Sequence, residues 1–163
     1  MRMILIALAL IVIFSFNGHA QTAPDVESLR GLQGVAVLFS KYPKELEQNG
    51  LTMTQVNTEV EIRLRKAGIK LLTAEEAFKS PGAPMFLVRL ESTEHLGLYA
   101  VSIRLEFQQS VSLYRKPSTI VRCATWQVSN LITVGVNNFR QVKDLVGDGV
   151  DIFANDFLTA NQK

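Results

Sequence analysis

The sequence predicts a single α+β domain: a mixed, mostly antiparallel sheet with two main helices packed on one face. Three observations lead there. Residues 99-YAVSIRLEFQQSVSL-113 alternate apolar and polar side chains almost throughout, the period of a strand with one buried face. Two stretches, 53–67 and 139–157, instead repeat apolar residues every three or four positions, the period of an amphipathic helix. Short apolar runs flank the first helical stretch, and three long strand-like runs precede the second. The expected order is therefore β–α–β–(short α)–β–β–β–α.

The N-terminus reads as a leader rather than as part of the fold. Met1 and Arg2 are followed by 3-MILIALALIVIFSF-16, and Gly18 and Ala20 present the small residues of a signal-peptidase site. Residues 1–20 are expected to be a secretory signal peptide, cleaved after Ala20. The rival reading, a retained membrane anchor, calls for roughly 20 apolar residues, and this run has about 14. A lipid anchor would need a cysteine just after the run, and the one cysteine is Cys123. Residues 21–28 read as a flexible polar leader, and 29–163 as one domain of a size that builds a substantial core.

Without Arg2 the chain carries 16 basic and 15 acidic residues. This near-neutrality argues against nucleic-acid binding, where affinity comes from neutralising phosphates, and against a membrane-adhering surface. A single cysteine forms no internal disulfide, so the fold must stand on its core. The expected location is periplasmic or secreted, with no stable membrane insertion once the signal is removed.

The elements follow in order. In 32-LQGVAVLFSKY-42 the unbroken apolar run from Val35 to Phe39 reads as a strand covered on both faces, hence central in the sheet. Residues 43-PKELEQNG-50 open with proline and close with glycine, a short helix or structured loop. Thr52 and Gln55 form a capping box, after which Met53, Val56, Val60, Leu64 and Ala67 mark one helix face and Gly68 stops it. Residues 69-IKLL-72 are a short strand, so strand, helix, strand suggests a βαβ unit. Thr73 and Glu76 form a second capping box, and 80-SPGAP-84 ends the short helix behind it. Strands are expected at 85–92, 99–113 and 119–128, with 131–136 continuing the last after an irregularity at Ser129 and Asn130. Asn138 and Gln141 are placed to cap the final helix. Its stripe is Phe139, Val142, Val146, Val150, Phe153 and Phe157, weakened by Gly147 and Gly149, where a kink is expected. The proposed core is Val35, Val37, Val56, Val60, Leu64, Ile69, Val101, Ile103, Leu105, Trp126, Val142, Val146 and Phe153.

The long hairpin raises the functional question. With its turn centred on Pro117 and Ser118, Ile120, Ala124, Trp126 and Val128 join the odd row of 99–113, and Gln109 lies opposite Trp126. Either the glutamine amide finds partners near the indole, or the core ends there and the tip projects past the helices. The even row, Arg104, Glu106, Gln108, Ser110 and Ser112, faces outward as a solvated surface or a flat recognition surface.

Reactive constellations are sparse. Cys123 and His95 would have to converge for thiol chemistry, but Cys123 falls mid-strand and His95 in the link 93-TEHLG-97. Asp144, Asp148 and Asp151 run along the last helix, where they splay rather than converge on a metal, and Arg140 is spaced to pair with Asp144. Glu59 with Arg63, and Glu61 with Arg65, are spaced as ion pairs on a solvated face. No residue is assigned to catalysis, a cofactor or a metal, and no cofactor is expected.

At 60-VEIRLRKAGIKLL-72, 124-ATW-126 and 151-DIFANDFLTAN-161 the chain resembles small exported bacterial proteins of unknown function. The order of elements is similar to that of small α/β envelope domains such as the amino-terminal part of TolB. The resemblance implies an exported α/β domain and transfers no catalytic residue. The function expected from these readings is non-catalytic binding of an envelope protein or peptide, with Arg104, Glu106, Gln108, Gln109 and Trp126 as the candidate partner-binding residues. The alternative is carriage of a small apolar ligand in a cavity between helix and sheet.

Overall fold

The structure, a computed structural model, describes residues 23–162. The expected signal peptide and the first two residues of the expected leader lie outside the described residues. The fold is α+β. In chain order the elements are α1 (Ala23–Glu27), β1 (Ala36–Phe39), α2 (Lys44–Gln48), α3 (Met53–Lys66), α4 (Ala74–Lys79), β2 (Met85–His95), β3 (Leu98–Leu113), β4 (Lys116–Gly135) and α5 (Arg140–Asn161). The four strands form one mixed sheet in the order β1-β2-β3-β4, with β1 and β2 parallel and the other two pairs antiparallel. So β1 is an edge strand with three partly exposed residues rather than the central strand its apolar run suggested.

The βαβ unit is present in reduced form. Residues 69–72 are not a full strand. Val35 N–H donates to the Lys70 carbonyl (3.0 Å), and Leu72 N–H to the Val35 carbonyl (2.9 Å), making a single parallel bridge beside β1. Gly34 allows this approach: a Cβ there would sit 2.5 Å from the Lys70 carbonyl oxygen. Both capping boxes form, Thr52 with Gln55 on α3 and Thr73 with Glu76 on α4. At α5 the cap differs from expectation. Phe139 occupies the N-cap without a side-chain bond, and Asn138 contributes only its carbonyl, to Gln141 N–H.

α3 and α5 share one face of the sheet. Val56, Val60 and Leu64 of α3 and Val142, Val146, Val150 and Phe153 of α5 are fully buried in one cluster with Val101, Ile103, Leu105 and Phe107 of β3. Phe153 is the hub, with ring centroids 4.6 Å from Phe86, 5.0 Å from Trp126 and 5.6 Å from Phe107. Aromatic pairs at these separations prefer tilted or edge-on arrangements, and Trp126 meets Phe153 at 73°. Gly147 and Gly149 are packing residues within one continuous helix. A Cβ on Gly149 would lie 2.5 Å from Leu105 Cδ1, and one on Gly147 would lie 2.5 Å from the Arg63 guanidinium carbon. Their absent side chains let α5 settle onto β3 and admit Arg63 of α3 alongside.

The expected leader does not stay outside the domain over its described part. After α1, Leu29 is fully buried, Ser28 Oγ donates to the Thr125 carbonyl (3.2 Å), and Asn161 Nδ2 at the end of α5 donates to the Leu29 carbonyl (3.0 Å).

The hairpin corrects the expected register. Its turn is Tyr114 and Arg115, with Leu113 opposite Lys116, and Trp126 lies opposite Phe107 rather than Gln109. Two irregularities cause the difference. Residues 117–119 have no partner on β3, consistent with a proline that brings no N–H to the ladder. Thr125 is an extra residue between the pairs Phe107 with Trp126 and Gln108 with Ala124, a β-bulge. One inserted residue reverses the faces beyond it. Trp126 and Val128 keep their expected place beside the buried row. Ile120 and Ala124 move to the other face, opposite Ser112 and Gln108, and Cys123 comes opposite Gln109. No irregularity occurs at Ser129 and Asn130, and β4 runs unbroken to Gly135.

Candidate functional site

The face of the sheet turned away from α3 and α5 carries three of the five candidate residues. Successive strand residues point to opposite faces. With Phe86, Val88 and Leu90 in the core, Leu87, Arg89 and Glu91 of β2 therefore share the open face with Ser102, Arg104, Glu106 and Gln108 of β3. The register sets Arg89 directly opposite Arg104, and Leu87 opposite Glu106. On the other side, Gln127 faces Glu106, Ser129 faces Arg104 and Leu131 faces Ser102.

Within this row the side chains hold one another. Glu106 is only 7% exposed. Gln108 Nε2 donates to its Oε2 at 2.8 Å, and Arg104 Nη1 lies 3.7 Å from its Oε1. A carboxylate this shielded needs such partners, because an unpaired buried charge is costly. Arg89 is arranged differently. Its Nε–H is shielded from solvent and has no acceptor among the described residues. Like charges set directly opposite on a sheet destabilise it, and here Arg89 meets Arg104. Arg89 also lines a surface depression of about 510 Å³ with Ser40, Lys41, Tyr42, Lys44 and Glu91 among its walls. Tyr42 in that wall donates its hydroxyl to the Leu51 carbonyl at 2.8 Å, and burial pushes its phenol above the ordinary value.

The other two candidates lie on the helix side. Trp126 is 1% exposed, and its Nε1 donates to Asp156 Oδ2 at 2.8 Å. Gln109 is half-buried. Its Nε2 donates to the Ser28 carbonyl (2.9 Å) and to Thr125 Oγ1 (2.8 Å), so the amide ties the N-terminal segment to the bulge. The glutamine that interrupts the apolar row thus has partners, though not the indole. It also marks where the core ends. β2 begins opposite Gln108, and the hairpin continues beyond it to a fully exposed Tyr114, with Ile120 70% exposed. The tip projects.

Sequence reasoning missed Arg89. The signal was present in 85-MFLVRLES-92, where one arginine sits among apolar residues of a strand flanked by strands. Its like-charged neighbour depends on the pairing register and so is invisible in the chain alone.

Other arrangements raised by the sequence resolve as follows. His95 pairs with Leu98 and Cys123 with Gln109, eleven residues apart along β3. At about 3.3 Å per residue the pair is separated by roughly 36 Å, so they do not form a thiol–imidazole site. Asp151 binds Arg63 across to α3, and Arg63 Nε also donates to Glu59 Oε1 at 2.7 Å. That hydrogen bond holds the Glu59 carboxyl below its ordinary value and raises Arg63. Glu61 with Arg65 (2.8 Å) and Arg140 with Asp144 (3.9 Å) also pair as spaced. No group of three or more potential metal-ligating side chains occurs among the described residues. Between α5 and the sheet the Phe86, Phe107, Trp126 and Phe153 rings pack on one another. No helix among the described residues is long and apolar enough to cross a membrane. No family model, curated protein or solved structure matches the chain.

Proposed function

We propose that the chain is an exported, non-catalytic protein that binds a protein or peptide of the cell envelope, through the open sheet face around Arg89 and Arg104. Export rests on the reading of residues 1–20 and on the resemblance to small exported bacterial proteins. The binding reading rests on one observation: Arg89 carries a solvent-shielded N–H without an acceptor and stands directly opposite a second arginine. A shielded donor left unmade costs about 1–3 kcal/mol. A carboxylate supplied from outside to the Arg89 and Arg104 guanidinium groups relieves the opposed charges. The chemistry favours a partner presenting acidic side chains to this face. The depression beside Arg89 is mixed in charge, lined by Lys41 and Lys44 and also by Glu45 and Glu91, so the preference rests on the two opposed arginines.

The test is affinity capture from envelope extract with the full chain as bait, followed by direct titration of the captured partner. Arg104→Glu and Arg89→Gln are each expected to weaken binding about tenfold or more, the scale of losing one member of a charge-assisted contact. Circular dichroism monitors folding. If both variants bind the partner as the parent does, the open face is not the site.

A further inference from the structure

The sheet has two ends, and they are treated differently. At one end β1 is only four residues long, and Val35 just before it is bridged by Leu71. At the other end β4 runs for 20 residues, and no strand among the described residues pairs with its outer edge. Exposed edges invite pairing with other chains, and proteins blunt them with lysine, proline, charge or bulges. In β4 every such device lies in the first half: Lys116, Pro117, Arg122 and the bulge at Thr125. There too Ser28 reaches the Thr125 carbonyl. Residues 123–135, CATWQVSNLITVG, contain no charge and no proline, and Leu131 in the middle of the edge is 77% exposed.

We propose that this edge pairs with the same segment of a second copy, antiparallel about a two-fold axis at Leu131, joining two four-stranded sheets into one of eight. Symmetric dimers bury the same patch on both subunits, so the patch must complement itself. Residues 128–134 do. Reversal about Leu131 sets Ser129 against Thr133 and Val128 against Val134, hydroxyl and β-branched pairs of the kind that stabilise neighbouring strands. Leu131 meets its own counterpart and loses its exposure. No like charges oppose each other anywhere in the paired segment. This neutrality selects a second copy over the acidic partner inferred for the open face. The dimer would place two sets of Arg89 and Arg104 on one continuous surface.

The proposal is tested on the full chain by sedimentation equilibrium across about 1–100 µM, a range that brackets ordinary dimer affinities. The expected result is a mass twice that of the monomer in the upper range. Leu131→Lys, which sets two ammonium groups face to face on the axis, is expected to weaken dimerisation at least tenfold. If its circular dichroism shows misfolding, Thr133→Lys on the same edge carries the test. Leu131→Cys in a Cys123→Ser background is expected to cross-link under mild oxidation. Directly opposed residues of an antiparallel pair have Cα atoms about 4.5–5.5 Å apart, within disulfide range. A monomer throughout the concentration range overturns the proposal. So does a dimer unchanged by the lysine variants, or a Leu131→Cys protein that does not cross-link. These readouts concern mass alone, so their failure leaves partner capture by the open face standing, and the reverse holds too.

Discussion

The hairpin of β3 and β4 has two halves that meet at the bulge at Thr125. Both read as alternating strand, yet one is core and the other is not. In the inner half Val101, Ile103, Leu105, Phe107, Trp126 and Val134 are all at most 3% exposed. In the outer half Val111 is half-buried, and Ile120, Val121 and Tyr114 are exposed. The residue types do not account for the contrast, since valine, leucine and isoleucine occur in both. The neighbours do. The inner half has β2 alongside and α5 beneath, whereas β2 stops opposite Gln108 and the outer half goes on without it. Alternation assigns side chains to faces, and burial depends on what else packs there.

The largest expected effect comes from the inner half. Trp126→Ala removes an indole wedged against Phe153 and leaves Asp156 without its donor. It should cost about 3–5 kcal/mol, the usual range for truncating a buried aromatic, measured by urea denaturation. A loss below about 1.5 kcal/mol, the range of mild core changes, would mean that the two halves are not so different.

An intermediate effect is expected at the boundary. Gln109→Ala deletes the amide that bonds both Ser28 and the bulged Thr125. The loss should be about 1–2 kcal/mol for two half-buried hydrogen bonds. Amide exchange in residues 23–31 should accelerate while exchange in β3 near Ile103 stays slow. Unchanged exchange at 23–31 would show that Leu29 and Asn161 anchor the segment without the glutamine.

The smallest effect belongs to the tip. Ile120→Ser alters a side chain that is 70% exposed, so stability should change by no more than about 0.5 kcal/mol. A loss comparable to that at Gln109 would place a covering element over the tip and remove the contrast.

Much of the architecture was legible along the chain because local rules decide it. The two capping boxes, the stop at Gly68 and the helical stripes each involve residues within a few positions of one another, and each forms as spaced except at Met53, which is 42% exposed at the start of α3. The register of the outer hairpin was harder to read. The apolar residues of β4 that face the helices sit at odd positions in Val121 and Cys123 and at even positions from Trp126 onward, a change of phase that marks the bulge. Ile120 and Ala124 mask it, because they continue the even series on paper while facing the open side. Of the candidate site, Arg104, Glu106 and Gln108 followed from alternation. Arg89 did not, because a solitary arginine in a strand acquires meaning only from the residue across from it.

By itself, then, the sequence determined neither α1 nor the reduction of 69–72 to a single bridge, but it did determine the main helices α3 and α5, the long strands, and which row of β3 is apolar. These follow from periodicity and capping, properties of residues close in the chain. Only the tertiary structure decided that Gln109 reaches Ser28, that Gly149 lets α5 rest on Leu105, and that Arg89 confronts Arg104. Those contacts join residues far apart along the chain, and they depend on a strand register that one inserted threonine is enough to shift.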